Sequence, residues 1–206
     1  MEPSSDNDAL KVRQQSSYYF ETSDLVIIAL FAALGGISST VIAEIARVVF
    51  IPLGIPGSGQ IASGLHIVWF VLIYFLVNKK IGAVFLAGVI KGMVELFSGN
   101  TLGIFAIVLA TGAAIVFEMS VYLLKQVFRG KRVHNATLAF SAGLASVSNI
   151  IIQIQTFIGR DLPPEVFLLI LIFSFLSGIF LGGYLGILIY KVFEQTSILD
   201  WRRTNT

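Results

Sequence analysis

Residues 24–49, DLVIIALFAALGGISSTVIAEIARVV, decide the fold class of this chain. Their charged side chains are Asp24, Glu44 and Arg47, which lie toward the two ends of the stretch. An α-helix needs about 17–25 apolar residues to cross the hydrocarbon core of a bilayer. Because backbone groups in lipid must form their hydrogen bonds within their own segment, such a stretch is expected to be helical. The stretch therefore predicts a transmembrane helix.

Five further apolar stretches follow along the chain, and each is near or above this length. They cover residues 61–77, 81–98, 102–128, 137–158 and 166–192. Charged residues make up 13% of the chain, against about 25% in soluble domains, and no stretch has a clear charged stripe. The alternating ten-residue segments typical of a β-barrel are also missing. The sequence predicts an all-α integral membrane protein with six transmembrane helices in one bundle.

The basic residues indicate how this bundle is oriented. Six spans leave both termini on one side, and 11 of the 14 lysines and arginines then fall on that side. The positive-inside rule assigns that side to the cytoplasm. We therefore expect a multi-pass protein of the cell membrane with both termini cytoplasmic. It consists of a polar N-terminal tail (1–23), a six-helix domain (24–194) and a C-terminal tail (195–206).

Composition and motifs exclude several functional classes. The chain has no cysteine, so it contains neither disulfides nor thiolate metal ligands, and a net charge of +2 gives no indication of nucleic-acid binding. Its two histidines, His66 and His134, are predicted on opposite sides of the membrane, which argues against a shared metal site. There is no HExxH, GxSxG or Walker A motif. We expect no catalytic residues, no cofactor and no metal site, so active uptake needs energy from a partner or an ion gradient.

Polar side chains inside the apolar stretches indicate where the function lies. A charge in the hydrocarbon layer costs roughly 2.5–3.5 kcal/mol on insertion scales, so it is expected to face a cavity or a partner. Most of these groups fall in the outer half of the membrane or near its middle, which suits a site that captures something from outside. They predict an outward-facing pocket lined by Glu95, Glu118, His66, Asn100, Asn149 and Gln153.

Several of these residues also have a purely structural interpretation. Lys91 and Glu95 are four residues apart on one helix face and neutralise each other in that case. Asn149 and Gln153 have the same spacing and suit interhelical hydrogen bonds. Glu118 has no basic residue three or four positions away. Its carboxylate therefore needs a cation, a distant base or a proton.

The residues around Glu95 resemble a known family. The stretch VELFSGN, residues 94–100, is similar to the Val-Glu-x-x-x-Gly-Asn stretch of YkoE-type S-components. S-components are the substrate-binding subunits of energy-coupling factor (ECF) vitamin transporters. Glu118 falls where that family has an acidic residue in its fourth helix, and Trp69 belongs to a similar Trp-Phe pair in the second. Lys79 and Lys80 resemble the basic turn that follows this pair.

The first span and the overall topology resemble the same family. Six helices in about 200 residues and cytoplasmic termini are typical of it, and Ala29 and Ala33 have the small-xxx-small spacing that lets helices approach closely. The sequence departs from the family pattern at Thr101-Leu102, where Pro-Ser is expected.

The resemblance implies both a function and a set of site residues. An S-component captures its vitamin outside the cell, here thiamine or its hydroxymethylpyrimidine precursor. It then docks on a transmembrane T-component that is driven by two ATPase subunits. In this role the carboxylates match a cationic or protonable ring, and an aromatic side chain stacks on it. The implied substrate-binding residues are Glu95, Asn100, Glu118, Trp69, His66, Asn149 and Gln153. Ala29 and Ala33 are the implied docking residues.

Two other functions fit the residues. A membrane assembly or scaffold subunit without a small ligand would use its buried charges in interhelical pairs. An ion-coupled or proton-coupled carrier that works alone would use Glu118 as its proton site.

Overall fold

The computed structural model describes residues 19–50, 52, 58–127, 135–158 and 162–195, and all regular structure in these ranges is helical. The α-helices are α1 (Thr22–Phe50), α2 (Val68–Leu76), α3 (Ala83–Phe97), α4 (Phe105–Val127), α5 (Asn135–Gln153), α6 (Pro164–Ser177) and α7 (Leu185–Gln195). A 3₁₀ helix (Ser58–His66) leads into α2. A π-helical turn (Ile154–Ile158) follows α5, and another (Gly178–Tyr184) joins α6 to α7.

Four continuous helical stretches among the described residues are long and apolar enough to cross a membrane. They are Thr22–Val49, Phe105–Val127, Asn135–Thr156 and Pro164–Gln195, and they correspond to the predicted first, fourth, fifth and sixth spans. The second predicted span is a shorter apolar helix, Gln60–Leu76, and the third is the 15-residue α3. The helical class is therefore confirmed. The count of six crossings and the side of the termini remain predictions.

Some sequence predictions fall outside the described part of the chain. The tails predicted at 1–23 and 195–206 lie for the most part beyond it, and so does the basic loop that contains His134. The predicted second span is helical but not uniform, because its residues up to His66 form a 3₁₀ helix and Val68–Leu76 form an α-helix.

The bundle is apolar on its outside as well as in its core. α1 packs against α3, α3 against α4, and α4 against α5. Phe70, Phe117 and Leu138 are fully buried in the core that α2, α4 and α5 share. On the outer surface, large apolar side chains such as Val48 and Phe97 are exposed. Apolar surface of this extent is unfavourable in water and indicates contact with lipid.

Small residues allow the helices to approach closely. A Cβ added to Gly183 would overlap Ala139 of α5, and one added to Gly178 would lie 2.7 Å from the carbonyl oxygen of Ala142. In lipid there is no hydrophobic force between helices, so close van der Waals packing of this kind holds them together. The glycine-rich part of the last span therefore packs against α5, as its composition predicts.

Candidate functional site

One end of the bundle contains a cavity of about 270 Å³. It lies between the end of α1, the 3₁₀ helix, α3, the loop after α3, α4 and α5. Lys91 and Arg47 contribute two cations to its wall. Five of the seven predicted substrate-binding residues line it, namely His66, Glu95, Asn100, Asn149 and Gln153. The structure thus brings most of the predicted pocket together, at the end of the bundle that is predicted to face outward.

Lys91 and Glu95 form a buried ion pair in this cavity. They lie one turn apart on α3, and they are 4% and 6% exposed. The Lys91 ammonium contacts Glu95 Oε1 and lies 5.9 Å from the centre of the Phe70 ring. The pairing predicted from their spacing is therefore present. Because a carboxylate offers about four acceptor positions, Glu95 can still accept hydrogen bonds from a ligand.

The loop after α3 holds Asn100 at the cavity. Gly99 has a φ of +78°, a conformation that favours glycine and commonly ends a helix. The Asn100 backbone N–H donates to the Glu95 carbonyl at 3.1 Å, and its side-chain Oδ1 accepts from the Leu102 N–H at 3.0 Å. The Gly-Asn sequence thus fixes Asn100 next to the end of the helix that carries Glu95.

Arg47 lines the cavity although it was not a predicted site residue. Its guanidinium donates to Glu44 on the same helix at 3.3 Å and to the Thr101 hydroxyl at 2.9 Å. The three-residue spacing indicates the pair with Glu44. The contact with Thr101 joins residues 54 positions apart, so no local sequence pattern predicts it. Together the two contacts connect the end of α1 to the loop that carries Asn100.

Serine hydroxyls hold the 3₁₀ helix against α5 and α6. Ser63 Oγ lies 3.0 Å from Ser146 Oγ on α5. The Ser177 hydroxyl accepts from the Gly64 N–H at 2.8 Å and donates to a carbonyl of the same 3₁₀ helix at 2.5 Å. Non-helical or irregular backbone within a membrane needs such partners. These bonds therefore fix the segment that carries His66.

Replacing Ser146 with alanine is expected to lower the thermal stability. The buried Ser146 hydroxyl lies within hydrogen-bond distance of both Ser63 and Ser174, the latter at 2.9 Å. Its removal leaves these hydroxyls with fewer partners, at a cost of about 1–2 kcal/mol. Thermal unfolding in detergent measures the change. Ser148→Ala is the matched control, because the Ser148 hydroxyl bonds a carbonyl of its own helix. Equal melting temperatures for wild type and S146A would contradict the role of this network.

Two predicted binding residues, Trp69 and Glu118, do not line this cavity. Trp69 packs over Gly35 of α1, where an added Cβ would lie 2.9 Å from Trp69 Cγ. Glu118 lies at the N-terminal end of α3, where its carboxylate accepts from the N–H groups of Gly82 at 3.2 Å and Val84 at 2.9 Å. The first N–H groups of a helix have no intrahelical partner and attract negative charge. The partner of Glu118 is therefore a helix terminus.

The small residues of α1 divide between the interior and the surface. Ala32, Gly35 and Gly36 are buried, whereas Ala29 is exposed and Ala33 is half-buried. The buried three let other side chains approach α1 closely. Ala29 has the accessibility that a docking residue requires, while docking itself stays a prediction.

The described residues do not include a group of three His, Cys, Asp or Glu side chains that could hold a metal ion. The cavity contains His66 and Glu95, and Glu95 is paired with Lys91. His134 lies outside the described residues.

Both the sequence and the fold resemble known proteins. Residues 23–148 match the model of a family described as ABC-type cobalt transport system, permease component. A solved structure of an S-component of an ECF transporter matches with a TM-score of 0.77 and 19% identity, and the match covers 88% of this chain and 89% of that chain. At this identity the likeness shows a shared fold. No curated protein matches the sequence significantly.

Proposed function

Because the chain belongs to the family of permease components of ABC-type cobalt transport systems, we propose that it is the substrate-capture subunit of an ECF-type uptake transporter. It is a multi-pass protein of the cell membrane, and it has the fold of an ECF S-component. The observation that carries the proposal is the cavity at one end of the bundle, where five of the predicted polar residues converge. Concave sites with a few convergent polar groups are typical of small-molecule binding.

We propose that the substrate is an organic molecule and not the cobalt ion that the family description names. Cobalt binding requires several imidazole, carboxylate or similar ligands around one point. The described part of the cavity offers His66 and a carboxylate, Glu95, that Lys91 already occupies. The side-chain amides of Asn149 and Gln153, in contrast, present both donors and acceptors, as the edge of a heterocycle requires.

Within the thiamine-related class, the cavity favours hydroxymethylpyrimidine over thiamine. Its volume of about 270 Å³ lies just below the usual range of ligand pockets, roughly 300–1,000 Å³. Among the described residues, the carboxylate that lines the cavity, that of Glu95, is already paired with Lys91, and Arg47 is paired with Glu44, so no unpaired carboxylate there offsets the permanent positive charge of thiamine. Hydroxymethylpyrimidine is smaller and carries no permanent charge. Glu95, Asn100, Asn149 and Gln153 are its proposed hydrogen-bonding partners.

The energy for uptake comes from other subunits in this proposal. The sequence has no Walker A motif, so a T-component and two ATPase subunits supply the ATP-driven step. Ala29, on the exposed face of α1, and the adjacent Ala33 are the proposed docking residues. The polar tail at 1–23 and the C-terminal tail at 195–206 are proposed to lie on the cytoplasmic side with these ATPases.

Calorimetric titration of the purified protein in detergent tests the substrate. We expect hydroxymethylpyrimidine to bind, thiamine to bind more weakly and Co²⁺ to give no heat of specific binding. Ligand at 100 times its Kd should raise the free energy of unfolding by about 2.7 kcal/mol. Glu118→Gln is expected to bind as wild type does, because Glu118 lies outside the cavity.

The other possible outcomes point to different functions. Stoichiometric Co²⁺ binding, with no heat of binding for hydroxymethylpyrimidine, would contradict the proposal of an organic substrate. If no ligand raises the melting temperature, the scaffold function is favoured. Uptake into vesicles that lack ATP and ATPase subunits would instead favour an ion-coupled carrier.

A further inference from the structure

A second cavity, of about 380 Å³, lies at the other end of α3 and α4. It is formed by the end of α2, the turn before α3 and the last turns of α4. We propose that this cavity binds the phosphate group of an anionic phospholipid through Lys79, Lys125 and Tyr74. The proposal is independent of the substrate site, because the two cavities share no lining residue.

The charges around this cavity leave an excess of positive charge. Lys80 is bound to the carboxylate of Asp24 at 2.5 Å. Among the described residues, the carboxylate in the wall is that of Glu118, which accepts two backbone N–H bonds at the start of α3 that offset its charge. Lys79 and Lys125 are the other charged side chains in the described part of the cavity wall. Two ammonium groups thus face one partly neutralised carboxylate.

The contacts of these two ammonium groups within the described structure are with aromatic rings. Lys79 Nζ lies 5.6 Å from the centre of the Phe75 ring, and Lys125 Nζ lies 5.4 Å from the centre of the Tyr74 ring. A ring face attracts a cation more weakly than a phosphate does, because the phosphate carries a full negative charge. Both lysines therefore remain able to bind an anion.

Tyr74 provides an independent indication of a ligand. It is 4% exposed, it lines the cavity, and its buried hydroxyl has no hydrogen-bond partner among the described residues. A buried hydroxyl is unfavourable unless it forms a hydrogen bond. A phosphate oxygen held between Lys79 and Lys125 would accept that bond.

The turn before α3 brings Lys79 to this position at a conformational cost. Asn78 and Lys79 have φ values of +52° and +61°, in the left-handed region that glycine adopts readily and lysine rarely does. The Lys79 N–H donates to the Tyr74 carbonyl at 2.8 Å, which closes the turn. The strained backbone therefore places the Lys79 and Tyr74 side chains at the same cavity.

The surroundings of the cavity favour a lipid over a soluble phosphate. Ile81 and Tyr122 line it and are exposed on the apolar surface of the bundle, and the adjacent Leu123 is exposed as well. Acyl chains can cover these side chains while the headgroup enters the cavity. Tyrosines are enriched at the level of the headgroups, and basic pockets between transmembrane helices bind anionic headgroups.

Thermal unfolding in nanodiscs tests this proposal. Wild type in phosphatidylcholine is compared with wild type in phosphatidylcholine that contains phosphatidylglycerol, and we expect a higher melting temperature with the anionic lipid. In the double variant Lys79→Gln with Lys125→Gln, the anionic lipid should no longer raise the melting temperature. Native mass spectrometry should show that phosphatidylglycerol binding is weakened about fivefold per replaced lysine. Lys191→Gln is the matched control, because Lys191 is exposed and does not line the cavity.

Tyr74→Phe separates the site from a general charge effect. In this variant the increase due to phosphatidylglycerol should be smaller. The melting temperature in pure phosphatidylcholine should not fall, because the hydroxyl has no hydrogen-bond partner among the described residues. An undiminished increase in the double lysine variant would overturn the proposal. If inorganic phosphate in detergent raised the wild-type melting temperature equally, the site would bind a soluble anion, and the proposal of a lipid ligand would be wrong.

Discussion

Replacing Glu95 with glutamine is expected to weaken binding of hydroxymethylpyrimidine by roughly a hundredfold or more. It should also lower the apparent melting temperature by about 10 °C, because it leaves Lys91 as a buried cation without its carboxylate, at roughly 3–5 kcal/mol. Both groups are almost completely buried in the ion pair. Calorimetry and thermal unfolding of the same preparation measure the two effects.

The double variant Lys91→Met with Glu95→Leu separates the ligand from the ion pair. Apolar side chains of similar volume often replace a buried pair without loss of stability, and sometimes with a gain of about 1–4 kcal/mol. We therefore expect a melting temperature at or above that of the wild type. Ligand binding should stay lost, because the carboxylate that the ligand contacts is missing.

Unchanged ligand affinity in this double variant would limit Glu95 to a structural role and remove it from the proposed site. Glu44→Gln, near the end of α1 that borders the cavity, is the control for a general loss of negative charge in this region. Its carboxylate pairs with Arg47 at 3.3 Å, but both side chains are about half exposed. Exposed pairs contribute roughly 0–1 kcal/mol, so we expect little change in stability.

The positions of the long helices were predictable from apolar length, because lipid leaves a hydrophobic segment little alternative to a helix. The stretch 102–128 predicts α4, which runs Phe105–Val127, and 24–49 predicts α1, which runs Thr22–Phe50. The 3₁₀ helix at Ser58–His66 was not predictable in this way. Its hydroxyl partners on α5 and α6 are 83 or more residues away, and apolar content does not distinguish it from an α-helix.

The candidate site was predictable where depth in the membrane decides the environment. From their depth along their helices, Glu95 and Asn149 were predicted to share a cavity. In the structure both residues line the same cavity. Depth does not specify the direction in which a side chain points around the helix axis, so Trp69 faces α1 instead. Glu118 pairs with backbone N–H groups at the start of α3, and such a partner has no side-chain signature in the sequence.

Replacing Ala29 with leucine, alone and together with Ala33→Leu, is expected to reduce ATP-driven uptake at least about tenfold while substrate binding stays unchanged. Ala29 is exposed on α1, whose surface is otherwise covered by large apolar side chains such as Leu30 and Ile37. Close approach of a partner helix requires small residues at the contact. Overpacking such a contact typically costs 1–3 kcal/mol per residue, enough for a loss of this size. Uptake by proteoliposomes that contain the T-component and ATPases measures it, alongside calorimetry of the isolated protein.

Ala136→Leu is the matched control, since Ala136 is an exposed alanine on a different helix, α5. Leu34→Phe enlarges a residue on the exposed surface of α1 itself and tests whether any bulk there prevents docking. Normal uptake in A29L would rule out this face as the docking surface. Loss of substrate binding in the double variant, with binding intact in A29L, would mean that the half-buried Ala33 is a packing residue of the bundle. Because Ala29 is exposed and makes a smaller contribution to internal packing, the single variant gives the cleaner distinction between docking and folding.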